Sequence, residues 1–167
     1  VHSDPSITPL DHSWPVSAEL AARLHYTGYV APQAVRAHPG GAGSGEVLVS
    51  AGGGAVGQAL FHAAAQAAKH SDLPWRLLIG GNDVQERMAT LAKLNSPAHI
   101  EPARRDFRQM LYGAAASVSL CGYNTALDLL QAGTRAVLVP FDAGGETEQT
   151  LRARNMADLP GMTLLAS

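Results

Sequence analysis

Four short stretches gather glycines, hydroxyls, amides and carboxylates at spacings suited to an anionic or polyhydroxylated ligand. The first, Ser50-Ala51-Gly52-Gly53-Gly54-Ala55-Val56-Gly57, contains G-x-G-x-x-G at Gly52, Gly54 and Gly57. Glycines there let the backbone approach a ligand, and a following helix start offers unpaired N–H groups to an anion. A tight strand-to-helix turn explains the same residues. The second stretch is Glu101-Pro102-Ala103-Arg104-Arg105-Asp106-Phe107. A planar base can stack there beside Phe107 and bond to backbone; equally, Asp106 caps a helix, Phe107 is core and the arginines are solvated.

The third stretch, Cys121-Gly122-Tyr123-Asn124-Thr125, opens a helix that carries Asp128. Backbone N–H groups and the Thr125 hydroxyl suit a diphosphate, and the two oxygens of Asp128 suit a ribose diol. A capping box, Thr125-x-x-Asp128, accounts for both residues without a ligand. Cys121 reads as a buried strand-end thiol rather than a nucleophile, since no base neighbours it. The fourth stretch, Pro140 to Gln149, holds Asp142, Glu146, Glu148 and Gln149 for sugar hydroxyls. Its acids also suit a helix N-terminus, which leaves Gln149 as the better sugar contact.

These loops need a frame that aligns them. Short apolar runs at Glu46–Ala51, Trp75–Ile79, Ala98–Glu101, Ala115–Leu120, Ala136–Pro140 and Met162–Ala166 read as strands buried on both faces. Helices are expected between them at Val56–Lys69, Val84–Leu94, Asp106–Tyr112, Thr125–Gln131 and Glu146–Met156. Val56, Leu60, Ala64 and Ala67 form one apolar stripe. The alternation predicts an α/β, doubly wound parallel sheet of Rossmann-like type, with ligands beyond the carboxyl ends of the strands.

Residues 1–45 differ in character, with a short helix expected at Val16–Leu24, an extended piece at Tyr26–Val30 and a flexible Gly-rich linker at Pro39–Gly45. Val1 in place of Met reads as a piece of a longer chain. The 167 residues with 46% hydrophobic content fill one core. A formal charge of −2, without a block of Lys or Arg, argues against nucleic-acid partners. One cysteine excludes an internal disulfide and fits a reducing, cytoplasmic setting. No apolar run approaches the roughly 18 residues of a membrane span. The seven histidines show no ligand spacing, so no metal site is expected. A P-loop and a G-x-S-x-G elbow are absent from the sequence.

Taken together, Val47 to Gly57, Pro102 to Phe107, Cys121 to Asp128 and Val139 to Gln149 resemble the C-terminal domain of GT-B glycosyltransferases. The likeness is to the family of the peptidoglycan N-acetylglucosaminyltransferase, glycosyltransferase family 28, and covers about Glu46 to Ala157. Its specific part is Cys-Gly-x-x-Thr-x-x-Asp, then Ala-Gly-Thr-Arg-Ala-Val-Leu-Val-Pro-Phe, then the acidic/Gln helix start.

The resemblance implies one half of a GT-B two-domain enzyme, with a UDP-sugar donor as substrate, N-acetylglucosamine as the sugar and no cofactor. It implies that Gly52, Gly53 and Gly54 approach the nucleotide, that the Arg104 backbone holds the uracil edge and that Phe107 lines the base pocket. Gly122, Tyr123, Asn124 and Thr125 would surround the diphosphate, Asp128 would bind ribose, and Glu148 and Gln149 would meet the sugar. Gly53 stands where the family commonly has Ser, which removes a hydroxyl contact, and Glu148 stands where it has a neutral amide. Residues 1–45 become the return segment and linker from an N-terminal acceptor domain that supplies the general base. Residues 46–167 become the nucleotide-sugar-binding domain, with closing helices expected beyond it and apolar surface exposed at the cleft. Binding without turnover follows for the chain by itself, and a cytoplasmic, membrane-peripheral enzyme for the whole. Three other readings stand beside this one. A nicotinamide-dinucleotide module rests on Gly52, Gly54 and Gly57, but needs an acid ending the second strand about 20 residues on, where Ile79-Gly80-Gly81-Asn82 stands and Asp83 comes late. A non-catalytic interaction domain and a GT-B epimerase are the others.

Overall fold

The computed structural model describes residues 1–38, 41–52, 57–141 and 147–165. Six parallel strands form one sheet: β1 (Val47–Ser50), β2 (Trp75–Ile79), β3 (His99–Pro102), β4 (Ala116–Leu120), β5 (Ala136–Val139) and β6 (Met162–Leu164). Their order is β3-β2-β1-β4-β5-β6, and every pairing is parallel. β1 is the centre because Val47, Leu48, Val49 and Ser50 are all buried, as a strand covered on both faces requires.

Side-chain alternation sorts the core into two layers. Val49, Leu77, Ile79 and Leu120 face α2 (Gln58–Ala67) and α3 (Val84–Ala92) through Leu60, Phe61, Ala64 and Leu91. Leu48, Leu78 and Leu138 face the other way, onto α4 (Phe107–Leu111), α5 (Tyr123–Ala132) and α6 (Glu148–Met156). The expected doubly wound sheet is thus what the chain forms. Its strand order reverses between β1 and β4, so the crevice beyond Ser50 and Leu120 is the natural ligand position.

An ion-pair ladder runs from the residue before β1 across β2 to β3. Arg76 of β2 donates to both oxygens of Glu46, at 2.6 and 2.8 Å, and to Glu101 of β3 at 2.8 Å. Paired with the guanidinium, the Glu46 carboxyl titrates below its ordinary value.

The segment before the sheet differs from expectation. The helix at Val16–Leu24 shrinks to α1 (Ala18–Ala21), capped by Ser17, whose Oγ accepts from Leu20 N–H at 3.2 Å. No residue of α1 is buried, and a helix this short lacks the packing that would extend it. The extended piece at 26–30 joins no strand of the sheet. Trp14 and Val30 are exposed at 64% and 58%. Residues 41–45 correct the flexible-linker expectation, because they form a docked turn. Gly43 lies at φ +84 so close to Met110 that a Cβ would sit 2.8 Å from it, and Gly45 N–H donates to Gly113 O at 2.8 Å. Pro39 and Gly40 lie outside the described residues, as do Val56, where α2 was expected to begin, and Ala166.

Candidate functional site

β4 delivers the chain to the crevice. Ser117 and Ser119 are buried and hydrogen-bond to each other at 2.6 Å, satisfying both hydroxyls inside the sheet. Cys121 follows, fully buried, with its thiol pushed up to about 11 by burial. A thiol so held is not a nucleophile at neutral pH. Gly122 is extended, with ψ 156, and is the N-cap of α5, which starts at Tyr123. This overturns the capping-box alternative: Thr125 is the third residue of the helix rather than its cap. No side chain among the described residues caps α5. The first-turn N–H groups of Tyr123, Asn124 and Thr125 thus lie at the positive end of the helix, which begins just beyond the carboxyl end of β4.

One turn on, Asp128 meets Arg108 of α4. Arg108 Nε donates to Asp128 Oδ1 at 2.8 Å, and its Nη2 reaches Gln131 Oε1 at 2.7 Å and the carbonyls of Gln33 at 3.1 Å and Pro32 at 3.3 Å. Gln131 also donates to Pro32 O at 3.0 Å. These contacts enclose a cavity of about 230 Å³ lined by Pro32, Arg108, Asn124, Leu127 and Asp128. Burial raises the Asp128 carboxyl above its ordinary value, against the lowering effect of Arg108.

The Arg104 stretch departs from the helix-cap reading at Asp106 and Arg104. Asp106 precedes α4 but makes no capping bond. It accepts instead from Arg104 Nε at 2.8 Å and Nη2 at 2.6 Å, with His38 Nε2 at 2.8 Å on the same carboxylate. The pairing with Arg104 pulls Asp106 down to about 2. Arg104 is therefore tied down rather than solvated. Phe107 is half-buried and packs against the α4–α6 layer.

Glu148 and Gln149 open α6. The Gln149 side-chain carbonyl accepts from Phe141 N–H at 3.3 Å, while Glu148 is 67% exposed and stands 3.6 Å from Arg152 Nη2. A second cavity, of about 160 Å³, lies where residues 1–13 meet the starts of α5 and α6, and includes Tyr123, Glu148, Arg152 and Asn155. Asn155 donates to Ile7 O, which holds the segment there. Tyr123 also stands edge-on to Tyr29, with ring centroids 6.0 Å apart, and its hydroxyl accepts from Val30 N–H.

The sequence-predicted residues thus divide. Asn124 and Asp128 share one cavity, and Tyr123 and Glu148 the other, on either side of the α5 start. Gly122 and Thr125 belong to that start itself. Gly52, at φ +72, donates its N–H to Ser50 Oγ at 3.2 Å and lines neither cavity. Arg104, Phe107 and Gln149 also line neither. Gly53, Gly54, Asp142 and Glu146 lie outside the described residues. Sequence reasoning missed Arg108, Arg152 and Pro32. The signal for Arg152 was Glu148, four residues earlier, and that spacing ordinarily marks a surface pair.

The family described as Glycosyltransferase family 28 C-terminal domain matches residues 48–166. A UDP-N-acetylglucosamine--N-acetylmuramyl-(pentapeptide) pyrophosphoryl-undecaprenol N-acetylglucosamine transferase of Zymomonas mobilis is 31% identical over 83 residues, which is 50% of this chain and 21% of that protein. The crystal structure of Acinetobacter baumannii MurG shares the fold, with a TM-score of 0.59 and 24% identity over 73% of this chain and 36% of that one. The chain spans a minor part of either relative. With the family match running from Leu48 in β1 past the last strand, the chain belongs to the glycosyltransferase family 28 C-terminal domain family.

Proposed function

We propose that the chain is the donor-binding half of a glycosyltransferase, holding a UDP-sugar whose sugar passes to an acceptor hydroxyl. The observation that carries this is the uncapped α5 start at the β1/β4 switch point with Asp128 one turn behind it, inside the segment that matches the family. A helix N-terminus suits a diphosphate, and a carboxylate in an adjoining cavity suits ribose hydroxyls. N-acetylglucosamine as the sugar is supported by the Zymomonas relative, whose name gives that donor. Gly52, Gly53 and Gly54 approach the nucleotide, Arg104 and Phe107 hold the base, and Glu148 and Gln149 meet the sugar. No cofactor beyond the donor is needed.

Residues 1–45 lead in from an acceptor-binding domain, which supplies the general base. The whole enzyme works in the cytoplasm at the membrane periphery; no helix among the described residues is long and apolar enough to cross a bilayer. The nicotinamide alternative is disfavoured because β2 ends at Ile79, followed by Gly80 rather than an acid.

Thermal unfolding with UDP, UDP-N-acetylglucosamine, GDP-mannose, dTDP-glucose and NAD tests the reading. A ligand at about 100 times its Kd stabilises by about 2.7 kcal/mol. Uridine nucleotides alone should raise Tm by several degrees; a shift with NAD alone would overturn the proposal.

A further inference from the structure

Arg152 is a buried cation whose charge the protein leaves incompletely answered. It is 9% exposed, yet its Nε has no hydrogen-bond partner among the described residues. Nη1 donates to the Cys121 carbonyl at 2.8 Å, and the guanidinium carbon lies 5.8 Å from the centroid of the Tyr123 ring. The acid paired with it among the described residues, Glu148, is 3.6 Å away and 67% exposed, so water screens it. Buried charges are ordinarily paired, and leaving one partly unpaired costs stability. That cost is retained here at a particular place. Cys121 and Tyr123 flank Gly122, so the guanidinium sits against the start of α5, where the helix already presents its positive end and uncapped N–H groups. Arg152 and Tyr123, the first residue of α5, both line the 160 Å³ cavity. That volume is below the roughly 300–1,000 Å³ of pockets that enclose a whole ligand, so it suits one part of a larger molecule.

Resting on the donor-binding reading, we infer that Arg152 is the cation that stabilises the diphosphate as it leaves, and that the incoming phosphate replaces Glu148 as its counter-charge. In the transfer, the acceptor hydroxyl oxygen bonds to the anomeric carbon as the bond from that carbon to the β-phosphate oxygen breaks. The electron pair stays on the phosphate oxygen, and the hydroxyl proton goes to a general base. The added negative charge on the diphosphate is what a fixed guanidinium meets without reorganisation. Arginine suits this because it stays charged when buried and offers phosphate a planar fork of donors. Glu148, freed from Arg152 and exposed, turns to the sugar hydroxyls.

The test is calorimetric titration of this chain and its Arg152→Gln and Arg152→Lys variants with UDP, uridine and inorganic pyrophosphate. Wild type should bind UDP far more tightly than uridine. Arg152→Gln should weaken UDP and pyrophosphate at least tenfold while leaving uridine unchanged, and Arg152→Lys should recover part of the loss. An unchanged UDP-to-uridine ratio in a folded Arg152→Gln variant overturns the inference and leaves the donor reading standing. Wild type that binds neither UDP nor uridine overturns the donor reading itself. If Arg152→Gln does not fold, the 15N resonance of Arg152 Nε in wild type decides: movement with UDP and pyrophosphate but not with uridine supports the assignment, and no movement overturns it.

Discussion

Arg108 Nε and Asp128 Oδ1 lie 2.8 Å apart, and the Arg108 guanidinium also bonds the carbonyls of Pro32 and Gln33. One side chain thus joins α4, α5 and the segment before the sheet around the Asp128 carboxylate. Oδ1 is held by Arg108, so under the proposed donor-binding function Oδ2 is the oxygen for a ribose hydroxyl.

Asp128→Asn is therefore expected to weaken UDP and uridine together, by roughly ten- to a hundredfold, because a hydrogen bond to a charged group contributes about 1.5–3 kcal/mol. It should also erase the preference for UDP over 2′-deoxy-UDP. Calorimetry with the two nucleotides measures both effects. Retained ribose discrimination in the variant would remove Asp128 from the ribose site.

Gly57 and Gly122 should respond in opposite ways to alanine. Gly57 sits at φ +90, and a Cβ there would fall 2.2 Å from the Ala51 Cβ, so Gly57→Ala should cost about 3 kcal/mol or more, or prevent folding. Gly122 has an ordinary φ of −64 and nothing among the described residues within 4 Å of the added carbon. Gly122→Ala should leave urea stability within about 0.5 kcal/mol while lowering UDP affinity, since the methyl group would occupy the approach to the α5 start. Equal effects of the two substitutions on stability would contradict this separation of fold from site.

Arg76 answers two carboxylates, Glu46 and Glu101, and is only 17% exposed. Among the described residues, replacing it with Leu leaves Glu46 with the Gly43 N–H alone and Glu101 with only the longer contacts to His99 at 3.5 Å and Arg104 at 3.7 Å, a loss of about 2–4 kcal/mol in denaturant unfolding. Ligand affinity in the folded fraction should be unchanged, because the ladder lies away from both cavities.

Asp106 gives a pH signature with a definite sign. Its carboxyl falls from 3.8 to about 2 in the folded chain because Arg104 bonds it. The unfolded state then binds more protons between those values, so stability rises with pH across that window. The contribution is complete above about pH 4 and is lost as pH falls through about 2. Partial exposure holds it to about 1 kcal/mol or less. Acid unfolding of wild type and Asp106→Asn should differ in slope only in this window; parallel curves would refute the pairing.

The alternation of Val47-Leu48-Val49 type runs with helical stripes determined the sheet, its parallel sense and the loops that face a ligand. Local spacing is enough for this, since burial on both faces leaves an apolar run no other element to form. The glycine before α5 and the carboxylate at Asp128 were legible for the same reason: both lie within one short stretch.

Only the tertiary structure decided what charges those residues meet. Arg108 is 20 residues from Asp128, Pro32 is 76 from Arg108 and Cys121 is 31 from Arg152, and no periodicity links positions so far apart. Arg152, four residues after Glu148, has the spacing of a solvated helix pair. It becomes a buried cation because the packing of α6 brings its guanidinium to the Cys121 carbonyl and the face of Tyr123. Residues 41–45, a stretch of Gly, Ala and Ser with no bulk to pack, are fixed by the closeness of Gly43 to Met110, which a sequence cannot display. Motifs set by chain-neighbour geometry were readable in advance, while electrostatic partners set by helices closing over a sheet were not.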